Sequence, residues 1–197
     1  MQRFSRIPIV EPRGVTSDHG GLSDRILDAT RRLLVTAGAR KLSLSDVATL
    51  AGVSRPTIYR YFASKEDLID ALGAQERRRF DAAMERAMTG VTGVARLEAA
   101  IDVVVSFVAD QPPGRQLDLD PGFALEQMAQ ALPMITKGLT AVVQQCAREN
   151  GIDASVSARG LAGAIARVAL SHYLFPDTDS TAMRRQIRAA AGLPASS

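Results

Sequence analysis

The chain has no tryptophan, one cysteine, two histidines and three tyrosines among its 197 residues. A lone Cys146 excludes an internal disulfide, and with only His19 and His172 beside it a structural zinc site of the usual Cys/His type is excluded as well. Long apolar runs are also missing. Nothing approaches the 18 or so consecutive apolar residues of a membrane span, and the N-terminus has no apolar signal region, so a soluble cytoplasmic protein without a membrane partner is expected. The signatures of catalysis are absent too: there is no G-x-S-x-G elbow, no G-x-x-x-x-G-K phosphate loop and no H-E-x-x-H. No enzyme and no cofactor is expected. Strand-like alternation and internal repeats are equally absent, and from Leu22 onward apolar residues recur at helical spacing, which predicts an all-α fold.

An apolar content of 46% is ample for a packed core. The formal net charge is only +3, but it is unevenly placed: residues 1–65 hold 11 Lys/Arg against 5 Asp/Glu, and residues 66–197 hold 13 against 16. The excess of cations therefore lies in the N-terminal third, as phosphate neutralisation requires. Residues 1–20, rich in proline, glycine and arginine, read as a flexible arm whose Arg3, Arg6 and Arg13 can add phosphate or minor-groove contacts if the chain meets nucleic acid.

Within the basic third, the segment SLSDVATLAGVSRPTIYRYFASK (43–65) carries the most information. Ser43 is placed to cap a helix whose apolar positions Leu44, Val47, Ala48 and Ala51 share one face. Gly52 ends that helix through the left-handed conformation, and Val53 packs in the corner beyond. Ser54 caps a second helix with Pro56 in its first turn, where a missing N–H costs nothing. That helix buries Ile58 and Phe62 and turns Arg55, Thr57, Tyr59, Arg60 and Tyr61 to its ends and outer face. Two short helices so joined form a helix-turn-helix. Guanidiniums and hydroxyls on the outer face can donate to phosphates and base edges, and Pro56 offers an apolar surface to a thymine methyl. Ser64-Lys65-Glu66-Asp67 is a cap-like start for the next helix, with Lys65 at its positive end.

These strings, together with the leading helix LSDRILDATRRLLVTAG and the SKEDL that opens the fourth helix, closely resemble the DNA-binding domain of the tetracycline-repressor (TetR) family. The resemblance covers about Leu22 to Leu68, a quarter of the chain. It implies groove contacts by Ser45, Arg55, Pro56 and Tyr61 and backbone contacts by Ser43, Thr57, Tyr59, Arg60 and Lys65. Family members often carry glycine or alanine at the position of Arg55, so an arginine implies a base or phosphate contact that many relatives lack. The implied protein is a homodimeric DNA-binding transcriptional regulator with an operator as partner, a repressor released by a small-molecule effector. The alternative is a C-terminal domain that only dimerises.

The resemblance implies nine helices and three parts: the arm 1–20, a helix-turn-helix domain 21–66 and a ligand-binding and dimerisation domain 67–197. Helices are expected at about 65–88, 94–109, 122–132, 134–149, 154–175 and 179–191, with Pro133 separating the sixth from the seventh and a loop at DQPPGRQLDLDPG. Ala158, Ala162, Ala166 and Ala169 give the eighth helix a narrow face suited to close helix approach, and the resemblance implies that the last two helices form the dimer interface. Phe107, Met128, Met134, Leu139, Arg167 and His172 are the candidate walls of a ligand cavity. With few aromatics, an aliphatic or acyl-type effector is favoured over a large planar one. Against these stand plainer readings. His172 and the methionines serve as core, Cys146 is an inert small hydrophobe, and Arg77-Arg78-Arg79 is a solvated helix face paired in part with Glu76 and Asp81.

Overall fold

The computed structural model describes residues 19–110, 119–149, 152–153, 157–177, 179 and 181–193. The arm with Arg3, Arg6 and Arg13 lies outside the described residues, as do 111–118 of the proline-rich loop. Eight α-helices are present among the described residues: α1 (His19–Ala37), α2 (Leu44–Ala51), α3 (Arg55–Tyr61), α4 (Lys65–Ala87), α5 (Gly93–Ala109), α6 (Pro121–Arg148), α7 (Ala158–Leu174) and α8 (Ala182–Ala190), with one 3-10 turn at Ala39–Lys41. The architecture is all-helical. No helix among the described residues is long and apolar enough to cross a membrane.

Two apolar cores share α4. In the head, Ile26, Leu34, Val47, Ile58 and Phe62 pack with Leu68 and Leu72 from the first two turns of α4. In the body, Phe80 and Met84 from the later turns of α4 join Ile101, Leu139, Val143, Ile165 and Ile187. The head core therefore continues past residue 66 to Leu72. A rigid helix running through both cores ties the position of the head to the packing of the body.

Three polar pairs strengthen the tie along α1 and α4. Gln75 donates to Asp24 at 2.8 Å, Arg79 pairs with Asp28 at 3.4 Å, and Arg31 pairs with Glu76. A second link runs from the turn before α2 to the start of α6. The Asp120 carboxylate accepts from the Arg40 backbone N–H at 3.2 Å and caps α6 by accepting from the Phe123 N–H at 3.2 Å.

Two expectations are corrected. The sixth and seventh helices are one, because α6 runs unbroken through Pro133. A proline inside a helix removes one backbone hydrogen bond. Here Ala124 on one side, and Ile135, Leu139, Val142, Val143 and Cys146 on the other, are buried on a common face, and their packing outweighs that loss. The second correction concerns α7. Ala162, Ala166 and Ala169 are each 0% exposed inside the monomer, and Ala158 packs partly against the same core. Their small side chains admit α5 and α6 of the same chain, so Ala162, Ala166 and Ala169 are not open to a second copy.

Candidate nucleic-acid interface and ligand cavity

The helix-turn-helix is built by local chemistry. The Ser43 side chain accepts from the Asp46 N–H at 3.2 Å and its hydroxyl donates to the Asp46 carboxylate at 2.6 Å, closing the first turn of α2. Gly52 ends α2 at φ 67°, a conformation that would strain any side chain. Its N–H and that of Val53 bond back to the α2 carbonyls. Arg25 of α1 donates to the Ala51 carbonyl at 2.8 Å and anchors the turn to the rest of the head. Ser54 accepts from the Thr57 N–H at 3.2 Å, and the two hydroxyls share a 2.7 Å hydrogen bond.

Ile58, 0% exposed, and Phe62 root α3 in the head core, each contributing about 2 kcal/mol by burial. The opposite side of α3 faces out. Arg55, Pro56, Tyr59 and Arg60 are exposed, Tyr59 to 55%. Thr57 and Tyr61 are half-buried, and the Arg60 guanidinium lies 5.5 Å over the Tyr61 ring. Tyr61 packs against the head core as well, so its ring positions Arg60. Ser45 and Ser43 are half-buried on α2 and its cap, and the Lys65 ammonium donates to the Ala39 carbonyl at 3.3 Å. The structure thus gathers an exposed set on α3, while Ser43, Thr57 and Lys65 are occupied in holding the backbone.

Behind the head, a cavity of about 140 Å³ lies at the junction with the body. Phe107, Met128 and Met134 line it. Leu139 lies in the body core and does not reach it. Arg167 and His172 do not reach it either. Arg167 is exposed and donates to its own helix at Gly163, and His172 shares a 3.1 Å hydrogen bond with Gln186 of α8. Leu170 and Tyr173 are the α7 residues that do line the cavity. Gln127, Gln130 and Ala131 of α6 line it on the body side, and the head side contributes Arg31 and Leu34 of α1 with Ile69, Gly73, Glu76 and Arg77 of α4. Sequence periodicity marked Leu34 as core but carried no sign that α1 would form part of a ligand cavity.

Packing fixes the electrostatics of the surrounding walls. Burial lowers the Arg31 pKa first, with nearby Arg79 adding to the effect. Burial also raises the Tyr173 phenol. Phe80 holds Phe107 edge-on, with ring centroids 5.1 Å apart. Cys146 is buried elsewhere, donating to the Gly93 carbonyl at 2.8 Å, with its pKa raised by burial.

Comparison with known proteins bears on the same segment. Residues 26–72 match the model of the bacterial regulatory proteins, tetR family. An uncharacterized HTH-type transcriptional regulator of Mycobacterium tuberculosis is 36% identical over 91 residues, 46% of this chain and 45% of that protein. The matched region thus spans a little under half the length of that curated relative. The HTH-type transcriptional activator FasR of Mycolicibacterium smegmatis is 26% identical over 156 residues, covering 78% of this chain and 67% of FasR. Among solved structures, a putative TetR-family transcriptional regulator from Rhodococcus sp. superposes with a TM-score of 0.70 at 18% identity, covering 88% of this chain and 97% of that one. At that identity the likeness is one of fold.

Proposed function

We propose that this chain, whose residues 26–72 match the tetR family model, is a TetR-family homodimeric DNA-binding transcriptional regulator, a repressor whose operator affinity is lowered by a small-molecule effector. The observation that carries the DNA reading is the exposed side of α3. Two arginines, a proline and a tyrosine face outward from a helix rooted by Ile58 and Phe62. Arg55 and Pro56, at the start of the helix, address base edges, while Tyr59 and Arg60 address the backbone. The cavity favours an effector over a body that only dimerises, because its walls combine α1 of the head with α4 to α7. A ligand that binds one head position better than another shifts the population between them. FasR, named an activator, favours activation as the second reading of sign.

For the dimer, the outward side of α7 replaces the alanine face. Gly160, Ala164 and Ser171 are exposed at helical spacing, with Phe175, 72% exposed, just beyond. A second copy of the chain covers this side.

Selection from random duplexes followed by gel-shift titration tests the function. Arg55→Ala costs about 1 to 3 kcal/mol on the selected site and relaxes preference at one base pair. Tyr59→Phe weakens selected and random DNA alike by about 1 kcal/mol. Failure to enrich or shift any duplex rejects the DNA reading.

A further inference from the structure

Arg77 stands at the edge of the cavity, and among the described residues it makes no hydrogen bond or ion pair. Arg78, next in the run, does not line the cavity. Arg79 is engaged by Asp28 and Glu76, and Arg31 across the cavity is engaged by Glu76. Arg77 lies back over Gly73: a Cβ there would sit 3.5 Å from the Arg77 Nη1, in ordinary contact. Gly73, Arg77, Gln127 and Gln130 border both the cavity and an open groove that also touches Arg40 and Lys65. The cavity therefore has apolar walls and a polar rim with one unengaged cation.

From this arrangement we infer that the effector is an amphiphile with one anionic head, of the medium-chain carboxylate class. Its alkyl body fills the cavity, and its head pairs with Arg77 between Gln127 and Gln130. The inference rests on the reading of the cavity as an effector site. Size sets the body: an apolar cavity of about 150 Å³ accommodates benzene, so the present one takes about six carbons before the head reaches the rim. Charge sets the head. An anion placed at Arg31 would have to displace Glu76, whereas at Arg77 it displaces only water. The groove beyond also carries Glu66, Asp70 and Glu126, which disfavour a head bearing several charges.

Calorimetric titration of the full chain with octanoate, octan-1-ol and octyl phosphate tests the inference. Octanoate is expected to bind about tenfold more tightly than octan-1-ol, the worth of a charge-assisted hydrogen bond. Octyl phosphate, with nearly two charges, is expected to bind more weakly than octanoate. Arg77→Gln, at an exposed position that leaves the fold intact, should abolish the preference for octanoate over octan-1-ol, and Arg77→Lys should restore most of it. Ala131→Phe, which fills the cavity, should remove binding of both. If octanoate and octan-1-ol bind equally and Arg77→Gln changes neither, the anionic-head inference is overturned while the cavity remains an effector site. Stronger binding of octyl phosphate overturns the single-charge assignment. If none of the three binds and Ala131→Phe has no effect on any titration, the inference and the effector reading fall together.

Discussion

Ile58 of the head and Ala162 of the body are both 0% exposed, yet only the first could be placed from its neighbours in sequence. Ile58 lies between a serine cap and Phe62 in a seven-residue helix, so its inward direction follows from which positions of that helix remain for solvent. Ala162 lies in a 17-residue helix with small residues on more than one side. Gly160 and Ala164 are outward, while Ala162, Ala166 and Ala169 are inward. The comparison teaches that a small-residue stripe identifies close helix approach without saying whether the approaching helix belongs to the same chain.

The largest expected effect tests that difference directly. Ala162→Arg buries a charge without a partner in the body core and should destabilise the monomer by about 3 to 5 kcal/mol, seen as a lowered melting temperature. Ala164→Arg, about 200° round the same helix, should leave the melting of the monomer nearly unchanged and convert a dimer to a species of about half the mass in light scattering. A stable, folded Ala162→Arg protein would show that the inward assignment of this face is wrong. Next in size, Ile58→Ala should cost about 2 to 5 kcal/mol through the cavity it leaves. Hydrogen exchange should locate that loss in α1 to α3. Uniform loss across α5 to α8 would mean that head and body unfold as one unit.

Smaller effects sharpen the comparison. Ser54→Ala removes the cap of α3 and should cost about 1 kcal/mol in denaturant titration. In the body, the equivalent local device is Glu149, which accepts from Gln145 at 2.7 Å, from the Gly93 N–H at 2.6 Å and from Arg96 at 3.0 Å, joining the end of α6 to the start of α5. These bonds, Gln145 first, hold its pKa down to about 2 from an ordinary 4.5. A depressed carboxyl pKa contributes stability above the unfolded value and loses it as pH falls. Acid titration between pH 4.5 and 2 should therefore show a loss of stability. Glu149→Gln should remove that part of the pH dependence, and an unchanged acid profile in the variant would exclude this contribution.

The cavity divides in the same way. Phe107, Met128 and Met134 could be named from apolar spacing, because each lies on a partly buried side of its helix. Arg167 and His172 lie on an apolar helix, where a charge and an imidazole need partners. The partners turned out to be the Gly163 carbonyl of the same helix and Gln186 of α8. Arg77 was read as part of a solvated face, and it is indeed exposed. Only the placement of α6 on the other side of the cavity makes that exposed position a rim.

Caps, turns and short amphipathic helices were determined by sequence alone, since their energetics act within a few residues: Ser43, Gly52, Ser54 and Ser64 each meet partners no more than four positions away. The continuity of α6 through Pro133, the inward turn of the α7 alanines and the sharing of cavity walls between head and body were decided by tertiary structure. Each depends on burial summed across helices distant in sequence, and that sum outweighs the local preference of any one residue.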